Sequence, residues 1–184
     1  MGIHPLRLDP TGVTAYIGPH DAYTVGLRAD IDGLRVLEDT DLPFQSKHPG
    51  KMHACGHDFH AAMLLTAAKM LKENEAELKG TVKFMFQPAE ETFEGSKNMI
   101  EHGILENPKV DAALAYHVSP GQMPVGIYMY NSTGTMMYSV DGFHIEIKGK
   151  GAHGAYPQNS VDPINIAAHV YFACLLYTSP SPRD

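Results

Sequence analysis

Cysteine is scarce in this sequence: Cys55 and Cys174 are the only two in 184 residues. They supply no disulfide framework, which excludes a small stapled secreted domain and fits a reducing, cytoplasmic setting. Positive charge is scarce too, with 14 Lys and Arg against 21 Asp and Glu and a formal net charge of −7. No basic patch stands out, which argues against a nucleic-acid partner. Residues 1–20 hold no apolar h-region, so no signal peptide is read there. The most apolar run near the end, 170–177, is too short to cross a bilayer, and no membrane association is expected. There is no internal repeat, and no low-complexity segment before the final residues. Two zinc-binding orders, His-Glu-x-x-His and His-x-His-x-Asp-His, are also absent, which sets aside zincins and metallo-β-lactamase-like hydrolases.

What is present suits a folded domain. Apolar residues make up 43% and charged residues 19%, enough to build a core. The densest chemistry lies in His53-Ala54-Cys55-Gly56-His57-Asp58. Cys and His bind borderline-soft divalent metals, and Gly56 permits the tight turn that lets Cys55 and His57 face one centre. A helix is expected over 58–73, with Ala61, Leu64, Leu65, Ala68 and Leu71 as its apolar stripe.

Strands are expected at 12–17, 23–29, 81–86, 111–116 and 125–130, the ones at 23–29 and 111–116 buried. A second helix is expected at 96–104, with Ser96 as its N-cap and Met99, Ile100 and Ile104 inward. Strands alternating with helices imply an α/β domain: a mostly parallel sheet with flanking helices. In such sheets ligands bind beyond the carboxyl ends of the strands. Asp30 follows one strand, Glu90 and Glu91 a second, and His117 a third. The loop holding Cys55 and His57 enters a helix on that same edge. The convergence of these residues points to a metal centre. A metal there would lower the pKa of water and polarise a carbonyl, while an adjacent carboxylate takes the proton and returns it to a leaving amine. That chemistry hydrolyses an amide or another acyl bond.

From residue 131 the pattern changes. Residues 136–148 alternate, with Phe143, Ile145 and Ile147 on one face, and predict a half-exposed antiparallel strand. A glycine-rich turn, 149–154, presents His153, which spacing alone reads as a surface histidine. A helix is expected over 160–174, with Val161, Ile164, Ala167, Ala168 and Phe172 inward. The boundary is placed near 130: a catalytic domain over 1–130 and the start of a smaller α+β domain over 131–174.

Four segments carry a resemblance: Leu27-Arg28-Ala29-Asp30-Ile31-Asp32, Met52-His53-Ala54-Cys55-Gly56-His57-Asp58, Phe86-Gln87-Pro88-Ala89-Glu90-Glu91 and Gly149-Lys150-Gly151-Ala152-His153. In kind and order they resemble the aminoacylase and hippurate hydrolase family of di-metal amidohydrolases, which includes bacterial N-acyl-amino-acid deacylases and plant auxin-conjugate hydrolases. The resemblance implies a zinc-exopeptidase-like catalytic domain followed by a lid and dimerisation domain. It implies two divalent ions (zinc, manganese, cobalt or nickel) and small N-acyl amino acid or peptide substrates. Cys55 matches a bridging metal ligand, with His57, Glu91 and His117 as further ligands. Glu90 matches the general acid/base, and Asp30 a carboxylate that orients a ligand. His153 resembles the lid histidine that steadies an oxyanion, often across a dimer interface, which reverses the reading from spacing. Asp58 and His60 look structural or supporting, and His53 has no metal role.

The sequence also departs from that family. Its members are longer, begin with a helical segment missing here, and add a last histidine ligand from a C-terminal return. Residues 175–184 do not continue the lid helix and read as a non-native tail. The chain is therefore expected to be a fragment, and the rival reading is an inactive piece that at most associates through exposed strand edges.

Overall fold

The computed structural model describes residues 2–20, 23–119, 121, 124–134, 136–137 and 142–178, the last four by their backbone only. The chain divides into two compact units, Met1–Ile127 and Tyr128–Asp184.

The first unit is an α/β layer structure built on five strands: β1 (Leu6–Arg7), β2 (Val13–Ile17), β3 (Thr24–Asp30), β4 (Thr81–Gln87) and β5 (Ala112–Ala115). Their order across the sheet is β1-β2-β4-β3-β5. The neighbours β4, β3 and β5 run parallel, whereas β2 is antiparallel to β4 and β1 to β2. The sheet is thus mixed, with its parallel part where the candidate residues lie.

Strand β4 shows why this sequence needs two layers of helix. Its side chains alternate between faces. Phe84, 1% exposed, packs with Ala15, Ile17, Ala29, Leu64 and Ala68 on the face of α1 (His57–Glu73). Met85 points the other way, to Met99 and Ile104, beside α2 (Gly95–Glu101). The chain runs from β3 through α1 to β4, then through α2 across to β5 on the far side of β3. Such a reversal opens a crevice at the carboxyl ends of the parallel strands.

Helix α1 buries His57, His60, Leu64 and Ala68, one line at helical spacing. Leu65, counted in the expected stripe, is 51% exposed. The true stripe runs on into two histidines instead, so one helix face serves both the core and the site.

Several expectations fail for physical reasons. Helix α2 has Glu94, not Ser96, at its N-cap, with no side-chain cap bond. A Cβ on Gly95 would lie 1.6 Å from the Pro88 carbonyl oxygen, so the chain already turns tightly before Ser96. Ile100 is 55% exposed, while Met99 and Ile104 are buried. Strand β5 is exposed along its length, because among the described residues it pairs only with β3. No strand forms over 125–130: Gly126 takes φ 90° in a turn. Residues 138–141 lie outside the described residues. The rest of the alternating segment, 136–137 and 142–148, has no ladder partner, and Phe143 is 74% exposed.

In the second unit, α3 spans Pro163–Thr178, later at both ends than expected. Asp162 Oδ1 accepts the Ile164 N–H at 2.9 Å, capping the start, and Pro163 suits the first helical position. Val161, Ile164 and Phe172 of the expected inner face are exposed. A helix buries its stripe only against another layer. Among the described residues, no helix is long and apolar enough to cross a membrane.

Phe84→Ala should cost about 3–5 kcal/mol, as for other buried aromatic truncations. Urea unfolding followed by circular dichroism checks this; a loss under about 1 kcal/mol would show that the α1 face is not the main core.

Candidate metal centre

Three loops leaving the parallel strands meet the start of α1. Strand β3 ends on Asp30, β4 leads into Glu90 and Glu91, β5 leads to His117, and α1 begins at His57. Cys55 and His57 are set by Gly56, which takes φ 81°, the left-handed region that disfavours other residues.

The Glu90-Glu91 turn is drawn tight. Phe93 N–H donates to the Glu90 carbonyl at 2.9 Å and Gly95 N–H to the Ala89 carbonyl at 3.0 Å. Ala89 and Phe93 take φ of 50° and 61°, costly for residues with a side chain, and such positions concentrate at functional turns.

The imidazole of His57 is wholly buried. Its Nδ1 lies 3.0 Å from Asp32 Oδ1, so Nδ1 carries the proton and Nε2 keeps a lone pair. Nε2 then faces Glu91 Oε1 and Glu90 Oε2, each at 3.8 Å. Both His57 Nε2 and Glu91 Oε1 are buried without a hydrogen-bond partner. Acceptors confronting one another with no donor between them are costly, and a cation resolves the conflict.

A second cluster shares His57. Cys55 Sγ lies 3.4 Å from His117 Nε2. His117 Nδ1 is 2.6 Å from the Val118 carbonyl oxygen, so the proton sits on Nδ1 and Nε2 points its lone pair at the thiol. Potential ligand atoms fall within 4.8 Å of one another in three sets: Cys55-His57-His117, His57-Glu90-Glu91 and Asp30-His57-His60. Burial, a hydrogen bond to Glu91 and the charges of Glu91, Glu90 and Asp30 push the Cys55 thiol up to about 11. This concentration of uncompensated negative charge fits a divalent ion, which would hold the sulfur as thiolate. The donors thus fit a metal: soft sulfur, imidazole and carboxylate, the set suited to zinc and its neighbours.

The family resemblance implied that Asp30 orients a ligand. The structure places Asp30 3.7 Å from His57 Nε2, and the carboxylate bonded to His57 is Asp32. Asp32 Oδ2 also accepts the Glu91 N–H at 3.1 Å, so one carboxylate fixes two candidate ligands. Burial works to raise its pKa. Bonds from the Glu91, Glu90 and Asp32 backbone and from His57 outweigh that and hold it below the usual carboxylate value. The signal was the second acid of Asp30-Ile31-Asp32, just past the strand end.

Asp30 serves a different partner. It is 1% exposed, accepts from Arg28 at 2.8 Å, and lies 2.5 Å from His60 Nδ1. His60 Nε2 accepts the Val118 N–H at 2.9 Å, which puts the His60 proton on Nδ1, toward Asp30. Val118 is also wedged against Gly56, where a Cβ would lie 2.4 Å from Val118 Cγ2. Val118 therefore holds His117 by its carbonyl, is itself held by His60, and packs on the other ligand loop. Nothing in the sequence marked Val118 for this.

His53 bonds the Asp32 carbonyl oxygen through Nδ1 at 3.1 Å. His153 lies in the second unit, exposed, with its Nδ1 accepting the Ala155 N–H at 3.1 Å.

An α/β layer with this donor set at its strand ends is the architecture of a metallohydrolase catalytic domain. Residues 26–176 match peptidase family M20/M25/M40, and the chain belongs to that family. It is 48% identical over 161 residues to an N-acetylcysteine deacetylase of Bacillus subtilis, covering 87% of this chain and 41% of the relative. It is 48% identical over 160 residues to IAA-amino acid hydrolase ILR1-like 4 of Arabidopsis thaliana, covering 87% and 36%. Among solved structures it is similar to the Bacillus subtilis YXEP protein, described as a dinuclear metal binding peptidase from the M20 family. The TM-score is 0.61 and the identity 47%, over 65% of this chain and 33% of that one. A putative aminohydrolase from methicillin-resistant Staphylococcus aureus matches with TM-score 0.67 and 31% identity, over 98% and 48%. The chain spans about two fifths of the length of the curated relatives it matches.

Two outcomes are expected. His60→Asn, which keeps a donor for Asp30 but cannot reach Val118, should weaken zinc binding by about ten- to a hundredfold. His60→Gln, which keeps an acceptor for Val118, should lose less; competition with a chromogenic chelator measures both. In metal-free protein the raised pKa keeps Cys55 a thiol at pH 8. Alkylation by iodoacetamide should be at least about tenfold slower than for an ordinary thiol, quickening as pH approaches 11. Peptide mass spectrometry separates Cys55 from Cys174.

Proposed function

We propose that this protein is a metal-dependent amidohydrolase that cleaves the amide bond of N-acyl amino acids. The observation that carries the reading is the buried confrontation of His57 Nε2 with Glu91 Oε1, with Glu90 Oε2 3.8 Å from the same nitrogen. His57, Glu91, Cys55 and His117 would hold the metal. Cys55-His57-His117 and His57-Glu90-Glu91 lie side by side, which supports two divalent ions, as in the dinuclear relative. His57 Nε2 has one lone pair and would serve one of them, and the family resemblance supports Cys55 as the ligand that bridges both. Zinc, manganese, cobalt and nickel all suit these donors. Ions bound there would polarise the acyl carbonyl and acidify water.

The remaining steps belong to the chain. Asp32 holds His57 in the tautomer that offers Nε2. Glu90, half-buried at the rim, takes the proton from the attacking water and delivers it to the nitrogen of the departing amino acid. That makes the amine a neutral leaving group and restores the Glu90 carboxylate. The roles of Asp30, in supporting His60, and of His153, in steadying the oxyanion, complete the assignment. For His153 the support is the family resemblance.

The relatives' names, a deacetylase and an amino acid conjugate hydrolase, support an acylated amino acid as substrate. We further assign residues 1–130 to the catalytic domain and 131–174 to the start of a lid and dimerisation domain. Helix α3 continues through 175–178, against the expectation that the helix stops at 174, so the non-native tail is assigned only to residues after Thr178. A cytoplasmic homodimer fits the absence of a disulfide and the family resemblance. The second reading, an inactive piece that associates through an exposed edge, draws on the exposure of β5.

Cys55→Ser should sharply lower bound metal, measured by plasma emission on dialysed protein. Glu90→Gln should keep the metal and lower turnover of an N-acyl amino acid by at least about a hundredfold. Equal metal content in wild type and Cys55→Ser would sink the ligand assignment. A metal-loaded chain with no turnover, sedimenting as oligomers, would favour association.

A further inference from the structure

Beside the ligand loop lies a cavity of about 930 Å³ that contains none of the candidate metal ligands. It is walled by the segment 31–53 and by Asp58 and Phe59 from the start of α1. Its size is that of a small-molecule site.

The wall is a built loop. Leu34 and Met52 exchange backbone hydrogen bonds of 2.8 and 3.1 Å, clasping its two ends. Inside, Glu38 Oε2 accepts the Ser46 N–H at 2.8 Å and Oε1 the Thr40 hydroxyl at 2.7 Å. These bonds hold the Glu38 carboxyl below its usual range and commit its charge to the loop.

The lining has two unusual features. Arg35, Lys47 and Lys51 face the cavity, and none forms an ion pair among the described residues. In a chain of net charge −7, three cations without counter-ions share one cavity. The carboxylates present are Glu38, already engaged, and Asp58, in the first turn of α1. The same cavity exposes Phe44 by 78%, Phe59 by 64% and Leu42 by 42%. Apolar surface held open to water beside unpaired positive charge complements a molecule that is anionic at one end and apolar at the other.

We propose that this cavity binds a small carboxylate bearing an apolar group, its head on Arg35, Lys47 and Lys51 and its tail on Leu42, Phe44 and Phe59. Two molecules share that chemistry: an intact N-acyl amino acid and the acid released from it. Only this choice of ligand rests on the function proposed above; the site itself stands on the cavity's own residues.

The test is calorimetric titration of the full chain, treated with chelator so that no metal competes. The probes are 4-phenylbutyrate, its neutral amide, and N-(phenylacetyl)glycine. The acids are expected to bind saturably, one per chain, and at least about tenfold tighter than the amide. Whichever acid binds tighter identifies the source as released acid or intact conjugate. The Lys47→Gln/Lys51→Gln double variant should weaken the acids by about tenfold, and Phe44→Ala should weaken all three probes. These side chains are exposed, so the substitutions leave the core untouched. Rising salt on the unmodified chain gives an independent reading, weakening the acids and not the amide. Cys55→Ser should bind the probes as wild type does. Equal binding of acid and amide, indifference to the lysine and Phe44 substitutions, or loss of binding in Cys55→Ser would each overturn the proposal. Failure of the metal or turnover measurements leaves this titration intact, so the two readings fail separately.

Discussion

The centre depends on one hydrogen bond, from His57 Nδ1 to Asp32. It decides which nitrogen keeps a lone pair, and so turns a buried histidine from a donor into a candidate ligand. The same carboxylate grips the backbone of Glu91, so the two acceptors that oppose each other across the site are anchored by one side chain. Without an ion between them the arrangement is electrostatically unfavourable, and the sheet tolerates it because the surrounding bonds leave no relaxed alternative. Stability lost at the centre is stability lent by the core of β4 and α1.

That core reaches the site through α1. The face that packs Leu64 and Ala68 onto Phe84 continues, with no break in helical phase, into His60 and His57. Position along the helix therefore separates packing from chemistry. His60 stands between them, bonded to Asp30 below and to the Val118 peptide above. The loop after β5 is tied down through that peptide.

Much of this was legible in the sequence. Apart from β1, which no pattern at 6–7 announced, the order of the observed strands and long helices in the first unit, and the gathering of Asp30, Cys55, His57, Glu90, Glu91 and His117 at one sheet edge, follow from hydrophobic periodicity and the strand-end rule. What escaped was set by geometry that periodicity does not encode. Asp30 and Asp32 are chemically alike, and only the turn after β3 decides which one meets His57. Val118 acts through its backbone and its shape, which residue type does not announce. Leu65 fits an apolar stripe by spacing yet faces solvent. The strands expected at 125–130 and over 136–148 show the opposite limit. Alternation states what a strand would bury, but a strand also needs a neighbour to bond with, and the described part of 136–148 has none.

The wedge of Val118 against Gly56 carries a consequence in time. Cys55 and His117 are 62 residues apart in the chain. At about 5–20 residues per second, roughly 3–12 s of synthesis separate the two. Of the candidate donors, Cys55, His57 and Glu91 are made before His117, and β5 must dock on β3 before Val118 can bring His117 to the other three. Completion of the candidate centre thus becomes a late event, and a report that the parallel sheet is complete.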